Sequence, residues 1–125
     1  MAASISSEAL HLSQMGDVAG ALRLLRSARD NAPLDESALS LIFSLLHDSG
    51  PTDEVFAVCG EGLALAKRVI TTSTWHLRRG LLHIEAGHRS EAVKDLMTVL
   101  KLKASEDQRA LAQKLLVRAA ELPKA

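Results

Sequence analysis

Three glycines place the tightest restriction on what this chain can fold into. Gly16, Gly50 and Gly87 stand 34 and then 37 residues apart, each between stretches whose apolar residues recur at helical spacing. Ile5, Ala9 and Leu12 precede Gly16, and Ala21, Leu22, Leu25 and Ala28 follow it. Leu39, Ile42, Phe43 and Leu46 precede Gly50, with Val55, Cys59, Gly62 and Leu63 beyond it. Glycine inside a helix costs roughly 1 kcal/mol against alanine. Its recurrence at matched places is therefore read as a turn that ends one helix in the left-handed conformation and lets the next fold back. Each unit is predicted to be a helical hairpin, and a period of this length marks stacked supersecondary units.

The boundaries between units carry their own signals. In "DNAPLDES", Pro33 stops one helix and Asp35 is placed to cap the next. "RVITTSTW" is read as the break before the third unit, because β-branched and hydroxyl residues disfavour helix. Near the end, Ser105 and Gln108 form a capping box ahead of a last helix, whose stripe is predicted as Leu111, Leu115, Ala119 and Leu122. A single helix after stacked hairpins covers an otherwise bare apolar end.

Ala9, Leu12, Gly16, Ala21, Leu25, Ala28 and Pro33 stand in the pattern small, large, glycine, small, large, small, proline. Gly80, Gly87, Ala92, Leu96 and Val99 repeat it, while Phe43, Gly50 and Val55 give a degenerate middle copy. On these residues the chain resembles the tetratricopeptide repeat family. The resemblance implies an all-α superhelix of stacked antiparallel hairpins with about seven helices, in one domain. The repeats are expected at 2–35, 36–72 and 73–106, with a capping helix at 107–122. Arg79 and His83 depart from the pattern, since they fall where the family places core-facing residues.

In that family the first helix of each hairpin lines a concave face that holds a peptide or partner helix. Carried over position by position, the partner-binding residues expected here are Leu10, Ser40, Ser44, His47, Leu77, Arg78, Leu81 and Ile84, flanked by Ser6, Ser13 and Leu41. Leu77, Leu81 and Ile84 form a second apolar stripe on their helix, read either as packing under the terminal helix or as a docking site, with packing preferred. The Lys, Asn and Arg clamp by which some family members grip acidic C-termini is matched only at Arg78. The expected function is thus a protein–protein interaction module, an adaptor or a client-specific chaperone. The alternative is a self-associating structural subunit, a dimer being its simplest form.

Other classes find little support in the sequence. Fifteen basic residues balance fifteen acidic ones among 125, so no basic field exists to attract nucleic acid. One Trp, two Phe and no Tyr leave few platforms for bases. The five histidines lack zinc-ligand spacing, the glycines are too scattered to cradle phosphate, and no serine or cysteine sits in a nucleophile's setting. No catalytic residue, metal or cofactor is therefore expected. Cys59 lies in the apolar run "VFAVCG" and reads as a buried small hydrophobe. With no apolar run long enough to span a bilayer and no leader-like segment at the N-terminus, the sequence points to the cytoplasm.

Overall fold

The computed structural model describes residues 4–124; the start assigned to the first repeat, at residue 2, lies outside them. The described residues form seven α-helices and no strand. The chain divides into two compact units, one running to Asp48 and the other beginning at Ser49. This division falls within the stretch read as the second repeat.

The first unit holds α1 (Ile5–Gln14), α2 (Val18–Asn31) and α3 (Glu36–His47), each packed on the other two. Gly16 has φ +87°, in the left-handed region. The Gly16 N–H donates to the Ser13 carbonyl at 3.0 Å and the Asp17 N–H to the Leu12 carbonyl at 2.8 Å. Those two bonds are the Schellman pair that satisfies the last carbonyls of a helix. Asp17 then caps α2 by accepting from the Gly20 N–H at 2.9 Å. The α2–α3 loop contains Pro33, and Asp35 caps α3 through the Ala38 N–H at 2.9 Å, as its position predicts. Ala9, Ala21, Leu25, Ala38 and Leu39 are buried, the alanines suiting close helix approach.

The second unit holds α4 (Asp53–Leu65), α5 (Val69–Glu85), α6 (Arg89–Lys101) and α7 (Glu106–Ala120). The α5–α6 turn repeats the Schellman pair of the α1–α2 turn, though His88 supplies no side-chain cap. Gly87 has φ +77°, its N–H donates to the Ile84 carbonyl at 3.0 Å, and the His88 N–H donates to the His83 carbonyl at 2.7 Å. Leu77 and Ile84 of α5, Ala92, Leu96 and Val99 of α6, and Ala112, Leu115 and Ala119 of α7 form one apolar cluster. On its other side α5 packs on α4, where the fully buried Trp75 ring lies directly over Gly62. A side chain at Gly62 would occupy the volume of the indole, which explains a residue atypical of the repeat pattern.

Two boundaries differ from the sequence reading. The stretch "RVITTSTW" is helix from Val69 onward, so α5 is 17 residues long and the break falls at 66–68 instead. Two of the hydroxyls that argued against helix are absorbed by it: Thr72 donates to the Arg68 carbonyl at 3.0 Å and Thr74 to the Ile70 carbonyl at 2.8 Å. The capping box of α7 is present as predicted, but its buried stripe is Ala112, Leu115 and Ala119, with Leu111 44% exposed. No helix among the described residues is long and apolar enough to cross a membrane.

Candidate functional site

The residues expected on a concave face fall into two sets. In the first unit, Ser6, Ser7 and Leu10 of α1 and Ser37 and Leu41 of α3 line an open groove of about 260 Å³. No lining residue is charged. Leu10 is 45% exposed, a large apolar side chain left open to solvent at the groove wall. The serines at its N-terminal end are partly engaged, since Ser4 caps α1 through the Ser7 N–H and also hydrogen-bonds the Ser7 hydroxyl at 2.8 Å. Further along α3, Ser44 is exposed and donates back to the Ser40 carbonyl at 3.0 Å, so its hydroxyl is already used in the helix. His47 stacks on Phe43 with ring centroids 5.3 Å apart.

In the second unit the expected docking stripe is interior. Leu77 and Ile84 belong to the core cluster shared with α6 and α7, and Leu81 is half-buried against it. The terminal helix packs on the stripe, the reading preferred from the sequence, and buries Leu77 and Ile84. Arg78 lies over the Trp75 ring, its guanidinium carbon 4.4 Å from the ring centroid, in cation–π geometry.

The second unit also contains a polar cluster that the sequence reading did not assemble. His76, Arg79 and His83 share one face of α5, and opposite them on α6 is Asp95, only 4% exposed. Arg79 grips the carboxylate with two bonds, Nε to Oδ2 at 2.9 Å and Nη2 to Oδ1 at 2.7 Å. His76 Nδ1 is 2.9 Å from Oδ1, and His83 Nε2 is 3.8 Å from Oδ2. Burial alone would raise the Asp95 pKa, but hydrogen bonds from His76 and Arg79, together with the Arg79 charge, outweigh it and hold the carboxyl below its ordinary value. The bond to Asp95 in turn holds Arg79 above the ordinary arginine value. The departures at Arg79 and His83 thus have a cause: a buried carboxylate on the next helix balances the Arg79 charge, and His83 lies beside the same carboxylate.

Beside this cluster, His83 and His88 face each other across the Gly87 turn with their Nδ1 atoms 3.1 Å apart. The Phe56 ring of α4 packs against both, at 4.7 Å and 6.1 Å between centroids. Arg79, His83, Glu91, Lys94 and Asp95 line a cleft of about 220 Å³ here. Among the described residues, no group of three or more His, Cys, Asp or Glu is arranged to hold a metal ion. Cys59 is fully buried, and burial pushes its thiol up to about 12, far from a reactive thiolate.

With this geometry in place, the chain was compared with protein-family models, curated proteins and solved structures, and it matches none of them.

Proposed function

We propose that this chain is a small helical-repeat binding module of tetratricopeptide type, which holds a short segment of another protein in the α1–α3 groove and carries out no chemistry of its own. The supporting observation is the groove itself: two leucines, one of them nearly half open to water, set among serine hydroxyls with no charge on the lining. An uncharged wall with an exposed apolar centre favours a neutral segment bearing a modest aliphatic side chain, hydrogen-bonded through its backbone to the serines. A strongly acidic or basic peptide would lose hydration there with no opposite charge to meet. The groove is small, so affinity in the micromolar range is expected.

Selection of displayed peptides on the full chain, followed by affinity measurement, tests this reading. Enriched peptides should be neutral and aliphatic, and Leu10→Glu/Leu41→Glu should weaken them at least tenfold while helicity is retained. Enrichment of charged peptides, or binding indifferent to both glutamates, would dismiss the assignment.

A further inference from the structure

The facing imidazoles of His83 and His88 fix a proton arrangement that the groove does not involve. Two Nδ1 atoms 3.1 Å apart are in hydrogen-bond contact only when one carries hydrogen and the other is bare. The Asp95 carboxylate selects between the two arrangements. It faces His83 Nε2 across 3.8 Å, and a negative acceptor on that side favours hydrogen on Nε2, which leaves Nδ1 of a neutral His83 bare. His88 must then donate through its own Nδ1–H. We propose that this pair is a pH-sensitive latch across the α5–α6 turn, closed while either ring is neutral and opened when both Nδ1 atoms carry hydrogen.

A first proton added to the pair leaves one Nδ1 bare in one tautomer and the bond intact, whichever ring carries it. A second fills the remaining Nδ1 and places two N–H groups head to head. Their separation moves His88 away from His83, and with it the ring that Phe56 packs on. The latch therefore bears on three elements at once: the end of α5, the start of α6, and α4 through Phe56.

The groups around His83 decide where this happens. Burial disfavours its charged form most, and the neighbouring His88 and Arg79 add to that, while Asp95 and Glu91 of α6 oppose it; the outcome is a pKa below the ordinary histidine value. Lys94 of α6 lines the same cleft, His76 of α5 shares the Asp95 carboxylate, and α4 presents the uncharged Phe56 ring and the neutral Cys59 thiol. A histidine that binds its proton more weakly folded than unfolded contributes stability above about pH 6.5, and this contribution is lost as pH falls through the folded value. Asp95, also depressed, loses its contribution in the same direction but lower, in the carboxylate range. The two losses are separated in pH.

Imidazole nitrogen NMR on the full chain at pH 7.5 reads the tautomers directly, and no substitution is needed for it. The expected result is hydrogen on Nε2 of His83 and on Nδ1 of His88. Thermal midpoints followed by circular dichroism between pH 7.5 and 5.5 test the coupling. The thermal midpoint of the native chain should fall over this interval, and that of His88→Ala, which lacks the opposing N–H, should fall clearly less even though it is lower throughout. Hydrogen on Nε2 of both rings, or equal pH dependence with and without His88, would overturn the latch.

Discussion

Gly87 and Gly62 lack a side chain for opposite reasons, and substitution separates them. A Cβ at Gly87 would meet nothing within 4 Å, so Gly87→Ala carries only the cost of holding alanine in the left-handed region, about 1–2 kcal/mol. Asparagine, which tolerates that region, should cost less. Gly62 has ordinary helical backbone, but a Cβ there overlaps the Trp75 indole and neither ring nor backbone can yield cheaply. Gly62→Ala is expected to exceed Gly87→Ala in urea-detected destabilisation. The reverse order would show that the indole has room to move. The turn glycines were legible because a helix breaker repeated at a fixed interval has few other meanings. Gly62 was noticed only as an exception, since its partner lies on a different helix. Asp95 was missed altogether, because in the sequence it looks like Glu91 four residues earlier, one more acid beside the stripe Ala92, Leu96 and Val99.

Among the elements, α5 and α7 show where pattern reading stops. Threonine-rich sequence disfavours helix locally, yet Thr72 and Thr74 bond back to carbonyls one turn earlier, and α5 packs on α4, α6 and α7. Tertiary packing of this kind overrides a propensity worth only tenths of a kcal/mol per residue. For α7 the capping box fixed the start correctly, but "RALAQKLL" offers Leu111 and Ala112 side by side, and size alone favoured the leucine. The structure buries the alanine, because a small residue lets α7 approach Leu77 and Ile84 of α5. A pair of substitutions distinguishes the registers. Leu115→Ala should cost about 2–4 kcal/mol, whereas Leu111→Ala should stay within about 0.5 kcal/mol of the native chain. Equal costs at both positions would restore the leucine stripe. The stripe Leu77, Leu81 and Ile84 has two readings in the sequence for a related reason: periodicity shows that the three share a face, and only the structure shows that a helix 30 residues later lies on it, as the preferred reading has it.

At the scale of the whole molecule, the two units differ in what can be seen of them. The chain has one tryptophan and no tyrosine, and Trp75 lies in the unit beginning at Ser49, sealed between α4 and α5 and capped by Arg78. Ultraviolet emission from this chain is therefore a private signal of that unit. The folded protein should emit at short wavelength, and the red shift on denaturation should record the moment when α4 leaves α5. Loss of ellipticity with no accompanying colour change belongs to helices that do not enclose the indole, those before Ser49 among them, which contribute no tryptophan emission. The residue that makes room for the indole thus equips the protein with its own optical gauge.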